Sequence, residues 1–97
     1  MTVGSGVTLV DNGMLDINSG ASVAGTLDVG SSGVVNVNSG TLSVGVTGAV
    51  SDGGVVTINS AGTLSDSGSV TVNGGAVLGS AGTLTDNGIV TVADGGT

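Results

Sequence analysis

A repeat of about 20 residues constrains the fold of this chain more than any other feature of its sequence. Four related segments, offset by 20, 21 and 21 residues, begin at Asn12, Ser32, Gly53 and Gly74. Two further segments, GTLSDSGSVTVNGG from Gly62 and GTLTDNGIVTVADGG from Gly82, repeat at 20 residues. A fixed period of this length is typical of proteins in which each repeat stacks on the next. The sequence therefore predicts that residue i lies beside residue i+20.

Short units of alternating apolar and polar residues make up each repeat. Examples are Leu15-Asp16-Ile17, Val35-Asn36-Val37 and Val56-Thr57-Ile58. This period of two indicates short strands with one buried face, and valine favours strands because β-branching restricts its χ1 angle. Turn dipeptides such as Asn-Gly, Gly-Gly and Ser-Gly separate the units. Three strands per repeat predict that each strand pairs with the one a full lap later.

These patterns predict an all-β fold, a three-faced parallel β-solenoid (β-helix) of about five laps. Residues 1–97 form it as a single domain without a linker. The bias of parallel crossovers predicts a right-handed coil. Apolar residues are expected to point inward in three columns: Val3, Val23, Leu42, Leu64 and Leu84; Leu9, Leu27, Val50, Val70 and Val90; and Leu15, Val35, Val56 and Val77.

The composition excludes several classes of function. Only ten residue types occur, and His, Cys, Lys, Arg, Glu and all aromatic residues are missing. Without imidazole, thiol or amine side chains the common nucleophiles and bases are absent, so we expect no enzymatic activity. A net charge of -7 repels nucleic-acid phosphates and anionic lipid head groups, and no apolar run reaches the roughly 18 residues of a membrane span. We therefore expect neither a nucleic-acid partner nor membrane insertion.

Three aspartates, Asp52, Asp66 and Asp86, lie in corners of the form Asp-x-Gly or Asp-Gly-Gly. An aspartate in this position caps its own turn, and we expect that role here. A weak calcium site is the alternative, although the Gly and Asp spacing differs from the GGxGxDxUx repeat of calcium-binding β-rolls. Asp66 and Asp86 would lie ~5 Å apart on adjacent laps, a separation found in retaining glycosidases. Neither an aromatic sugar platform nor a cationic residue accompanies them, so we expect no glycosidase activity. We also expect no cofactor, with calcium left open.

Asn18, Asn38 and Asn59 recur at offsets of 20 and 21 residues in Asn-Ser-Gly or Asn-Ser-Ala-Gly corners. We predict that their side-chain amides hydrogen-bond from lap to lap, as in the asparagine ladders of cross-β structures. The alternative is that each residue serves only its own turn. Both roles are structural.

Repeats of the form GTLxDxGxVTVxxGAxL with NSG corners resemble the passenger regions of bacterial autotransporter adhesins and of filamentous-haemagglutinin-like secreted proteins. The matching stretches run from Gly62 to Gly88 and from Val34 to Val44. The resemblance implies a right-handed parallel β-helix that is extracellular, on the bacterial cell surface. It also implies a role as a stalk or adhesin in attachment and biofilm formation, and it assigns no binding residue.

The first and last laps carry few residues that could block a sheet edge, with Asp11 and Asp94 as the only candidates. Native proteins usually protect such edges with charge, proline or a covering helix. The edges are therefore expected to meet either neighbouring repeats of a longer chain or a second copy stacked end to end in an open fibre. A non-catalytic structural solenoid is the leading hypothesis. The alternative is a carbohydrate-active or calcium-dependent binding module that uses the Asp-bearing corners to bind a host or surface glycan.

Overall fold

The computed structural model describes residues 1–97 and contains twelve parallel β-strands and no helix. There is accordingly no helix that could span a membrane. The all-β parallel solenoid of about five turns that the repeat predicts is confirmed. The strands are β1 Thr2–Val3, β2 Thr8–Asp11, β3 Met14–Ile17, β4 Ala21–Val23, β5 Thr26–Val29, β6 Val34–Val44, β7 Ala49–Asp52, β8 Val55–Asp66, β9 Ser69–Val72, β10 Val77–Ser80, β11 Thr83–Asp86 and β12 Ile89–Val92.

The strands stack in three rows, one for each face of the solenoid. Row 1 contains β1, β4, the second halves of β6 and β8, and β11; row 2 contains β2, β5, β7, β9 and β12. Row 3 contains β3, the first halves of β6 and β8, and β10. β6 and β8 are long because each continues through the corner from row 3 to row 1, where their register shifts between Val37 and Ser39.

Lap length varies, whereas the strand register within each row stays regular. Thr8 pairs with Thr26, and Thr26 pairs with Ala49, so the second of these laps is the longer. The extra residues lie in the corners between strands, where they leave the ladder of backbone hydrogen bonds unbroken. Variation in the repeat length therefore changes the corners and not the core.

The second predicted column, which begins at Leu9, lies in row 2 and is confirmed. Leu27, Val50 and Val70 pair in succession and are at most 2 % exposed, and Leu9 and Val90 extend the column at its two ends. Burying one such side chain contributes about 1.5–3 kcal/mol. The aliphatic columns therefore supply most of the driving force for folding.

Val77 lies outside the predicted row 3 column, and this prediction was wrong. Leu15, Val35 and Val56 pair as expected, but the next residue in register with Val56 is Leu78. Val77 points outward and is 38 % exposed. The sequence alignment of Gly53-Gly54 with Gly74-Gly75 caused the error: the corner before β10 is two residues longer than the one before β8, which moves the register by one.

The first predicted column, which begins at Val3, lies in row 1. In the structure its residues belong to two adjacent columns of inward side chains. Val3 pairs with Val23, and Val23 pairs with Val44; Leu42, Leu64 and Leu84 form the second column, which begins at Ala21. Each strand of this row has two inward positions, and counting only the leading large apolar residue passes over Ala21. All of these residues except Leu84, which is 41 % exposed, are buried.

Glycines at the corners allow successive laps to approach each other closely. A Cβ atom on Gly68 would overlap the carbonyl oxygens of Gly45 and Gly48 in the lap below. These neighbours are backbone atoms, which cannot turn aside as a flexible side chain would. Gly79, within β10, has open space around the same position. The corner glycines are therefore required by backbone packing and not only by turn conformation.

The molecule is about as tall as it is wide, with principal extents of 30 × 29 × 26 Å. Because lap-to-lap spacing is about 4.8 Å, five laps make a block and not a long rod. An elongated structure requires further laps at one or both edges.

Acidic corners, the asparagine ladder and the open edges

The corners that follow rows 1 and 2 are of two kinds, which differ in how the turn is closed. A long corner has four residues and is closed by a backbone hydrogen bond, as from the Gly33 amide to the Gly30 carbonyl at 2.8 Å. A short corner has two residues and in four cases follows an aspartate whose Oδ1 accepts the amide hydrogen of the glycine two residues later. The four aspartates are Asp11, Asp52, Asp66 and Asp86, with donor–acceptor distances of 2.8–3.0 Å.

The capping role expected for Asp52, Asp66 and Asp86 is confirmed by these bonds. Asp11 is a fourth member that the motif analysis did not single out, although Asp11-Asn12-Gly13 has the same sequence as Asp86-Asn87-Gly88. One short corner of rows 1 and 2 lacks aspartate: after Val23, the Gly25 amide donates to the Val3 carbonyl at 3.2 Å instead.

Asp52 and Asp66 point into the core, which the sequence analysis did not predict. Asp52 pairs with Val29 on one side and Val72 on the other, and its side chain is 0 % exposed. The sequence contains a pattern that predicts this burial. Each aspartate stands two residues after an inward residue, as Asp52 does after Val50 and Asp66 after Leu64. The period of two places it on the same face.

Each buried carboxylate is only half satisfied. Oδ1 caps the corner, whereas Oδ2 of Asp52 and of Asp66 is buried without a hydrogen-bond partner. Burial raises the pKa of Asp52 above its ordinary 3.8, and the bond from Gly54 opposes this effect. Burial likewise raises the pKa of Asp66, as does the charge of Asp86 on the next lap. A buried charge without a partner costs free energy, which explains the direction of both shifts.

The acidic corners do not converge on a shared metal position. Asp66 and Asp86 are neighbours in register, but Asp52 lies in another row between two valines. No group of three or more acidic side chains comes together anywhere in the molecule, and the structure contains no pocket. The arrangement provides turn closure and places two carboxylates with raised pKa values in the core.

The free energy of unfolding is expected to increase as the pH falls from about 7 to about 4. The folded protein binds protons at Asp52 and Asp66 more readily than the unfolded chain, because their pKa values are raised in the folded state. Their stabilising contribution is complete below the unfolded value of 3.8 and is lost as the pH rises through the folded values. Urea unfolding followed by circular dichroism measures this dependence.

The variant Asp52→Asn provides a test of the residue responsible for this pH dependence. Its Oδ1 keeps the bond to the Gly54 amide while the charge is removed, so we expect a weaker pH dependence and higher stability at pH about 7. Asp28→Asn is the matched control, because it removes the same charge from an outward position paired with Ser51, and it should keep the wild-type slope. A wild-type stability that decreases on acidification would contradict the expectation.

The asparagine ladder is present. Nδ2 of Asn38 donates to Oδ1 of Asn18 at 2.9 Å, and Nδ2 of Asn59 donates to Oδ1 of Asn38 at 2.6 Å. The ladder runs along the corner between rows 3 and 1, where β6 and β8 bend. Because Asn38 donates to Asn18 and accepts from Asn59, the three residues tie successive laps together at a corner that has no backbone turn of its own.

The last lap of the solenoid leaves inward residues exposed, whereas at the first edge the inward residues Val3 and Ile17 are each 3 % exposed. Leu64 is 1 % exposed because β11 lies over it, whereas Leu84, its neighbour in the same column, is 41 % exposed. Val72 and Val92 differ in the same way, at 0 % and 53 %. Of the nine exposed large apolar residues, only Val46 lies away from the edges; the others are Met1, Val7, Val10 and Met14 at one edge and Val77, Leu84, Ile89 and Val92 at the other.

Comparison with known proteins gives no match to a family model, to a curated protein or to a solved structure. The likeness to autotransporter and haemagglutinin-like passenger repeats therefore consists of the repeat residues and the parallel solenoid that they form. The parallel solenoid is the part of that likeness that the structure supports.

Proposed function

We propose that this protein is a non-catalytic structural β-solenoid of the bacterial cell surface, as a segment of an adhesin or as a subunit that stacks head to tail into a fibre. The observation that carries this proposal is the exposure of apolar side chains at both edges. Leu84 at one edge and Met1 at the other, 41 % and 46 % exposed, are positions that a further lap would cover.

The internal laps support end-to-end contact because they show what fits such an edge. Each lap rests on the previous one through parallel backbone pairing and a continuous aliphatic column, as Leu64 does on Leu42. Unpaired strand edges with exposed apolar residues are sites where another strand adds. A heterologous contact of this kind does not close on itself, so it produces an open fibre.

The shape of the molecule also favours a role in which laps are added. At 30 × 29 × 26 Å a single copy has no long axis, and only continuation by neighbouring repeats or by further copies gives the extension that a stalk needs. The resemblance of the repeats to passenger regions of surface adhesins supports the extracellular location and the role in attachment and biofilm formation.

Electron microscopy of the purified 97-residue chain, over a range of pH, tests the fibre form of the proposal. Unbranched filaments with an axial repeat of about 24 Å, five strand spacings, are expected of the subunit. A monodisperse monomer at every pH would contradict the subunit and favour the segment of a longer rod.

A calcium-dependent or carbohydrate-binding function remains the alternative, and the bonds at the acidic corners weigh against it. Oδ1 of each corner aspartate already accepts an amide hydrogen, and the carboxylates are distributed over two rows. Calorimetric titration with calcium distinguishes the two functions. Tight stoichiometric binding would contradict the purely structural one.

A further inference from the structure

The two edges each carry one carboxylate in an inward column. At one edge Asp86 follows Leu84 in β11 and is exposed; at the other Asp11 follows Leu9 in β2 and is half-buried. Asp66 and Asp52 are their internal counterparts, with the same cap on the glycine two residues later, and both are 0 % exposed. What separates the edge aspartates from the internal ones is the absence of a lap over or under them.

We propose that head-to-tail stacking of this chain is controlled by proton uptake at Asp11 and Asp86, which a second copy buries when it continues the ladder at either edge. The partner is a second copy of this chain, and the inference rests on the proposed stacking function. Each junction covers Asp86 of one copy and Asp11 of the next, so both carboxylates become more deeply buried at every joint. Asp86 is exposed in the single copy, whereas Oδ2 of Asp11 is already buried there without a hydrogen-bond partner.

The internal lap contacts show the environment that these carboxylates would enter. Asp66 has Val44 on one side and Asp86 on the other, and its Oδ2 has no partner. Burial is the largest cause of the raised pKa of Asp66, and the charge of Asp86 raises that pKa further. A carboxylate covered by an aliphatic lap without a cation is favoured in its neutral form.

Few other charged groups face these two residues. Asp86 faces Asp66 of β8 one lap below. Asp11 faces Val29 of β5; Asp28 and Asp16, on neighbouring strands, are at outward positions. The ammonium group of Met1, at the same edge as Asp11, donates to the Gly20 carbonyl at 3.4 Å and is the chain's one cation.

The experiment is sedimentation of the full 97-residue chain from pH about 7 to about 3.5 at constant ionic strength, with filaments checked by electron microscopy. Stacking is expected to strengthen as the pH falls, with the dissociation constant of a junction decreasing up to about 100-fold per pH unit because two protons are taken up. Asp52 is buried in both the single copy and the stack and pairs with Val29 and Val72, so its titration does not enter this slope. Asp66 is coupled to Asp86, so the slope reports these two residues together.

We call this control of stacking by proton uptake at Asp11 and Asp86 the proton gate. The double variant D11N/D86N distinguishes the proton gate from an effect of net charge alone. Asparagine keeps an Oδ1 that can cap Gly13 and Gly88, so this variant is expected to stack at pH about 7 and to lose most of the pH dependence. The control D16N/D28N removes the same amount of charge from outward positions and should retain the wild-type pH profile. Circular dichroism establishes that both variants are folded.

The possible results divide the two proposals. Filaments that form equally at every pH, or a D11N/D86N variant with the wild-type pH profile, would overturn the proton gate and leave the stacking function standing. An equal effect of D16N/D28N would also overturn the gate, because it would show a response to net charge alone. If no variant stacks at any pH, the fibre-subunit function itself fails, and the gate with it.

Discussion

Replacing Val70 by aspartate is expected to abolish folding. Val70 lies in the middle of β9 between Val50 and Val90 and is 1 % exposed. A carboxylate there has no corner amide to bind, since the backbone around it is engaged in the ladder. An uncompensated buried charge costs about 3–5 kcal/mol in addition to the lost burial of valine, and the whole stability of such a domain is about 5–15 kcal/mol.

The measurement is far-ultraviolet circular dichroism of Val70→Asp beside that of Thr71→Asp. Thr71 is the next residue in the same strand, points outward and pairs with Ser51 and Thr91, so the same charge there should leave the fold intact. Native β-sheet signal in Val70→Asp would show that the inward assignment of row 2 is mistaken. Asp52 is buried in the same row but accepts a hydrogen bond from a corner amide. Comparing it with Val70→Asp therefore shows how much that hydrogen bond stabilises a buried carboxylate.

Replacing Gly68 by alanine is expected to destabilise the protein by about 3 kcal/mol or more, at the upper end of overpacking effects. The added Cβ would overlap the carbonyl oxygens of Gly45 and Gly48. Relief requires the two corners to separate, which strains the bond from the Ser69 amide to the Gly48 carbonyl at 3.2 Å. Urea denaturation followed by circular dichroism gives the change in unfolding free energy.

Gly79→Ala is the matched control, and its effect should have the opposite sign. Gly79 lies inside β10, has nothing within 4 Å of its would-be Cβ, and does not adopt a positive φ. Alanine there reduces the conformational freedom of the unfolded chain and should stabilise by about 0.4–1 kcal/mol. A similar decrease in the free energy of unfolding in both variants would contradict this expectation. It would mean that lap-to-lap contact is not the reason why glycine is required at the corners.

The repeat period predicted the architecture because a parallel solenoid is the arrangement that pairs residues one lap apart. It also predicted the asparagine ladder and the capping aspartates, since each depends on a short motif within one corner. Register was harder to predict. Val77 was misplaced by one position because the corner before β10 has four residues where the one before β8 has two, and a column of leading apolar residues cannot detect that difference.

Burial of the aspartates was missed for a different reason. Asp52 and Asp66 were interpreted as polar corner residues, and a charged residue is rarely fully buried without a partner. The corner amides change this by satisfying one carboxylate oxygen at the end of a strand. The pKa shifts are properties of that environment and need the coordinates of the neighbouring laps.

The two kinds of corner make the solenoid modular. Asp-x-Gly and Val-Gly-x-x-Gly connect strands of the same register, as after Asp66 in one lap and Val44 in the lap before it. A gain or loss of two residues can therefore be neutral when it is coupled to an exchange of aspartate and valine at the strand end. Exchange of one corner type for the other would lengthen or shorten a single lap, or change its charge, while the strands on either side keep their pairing.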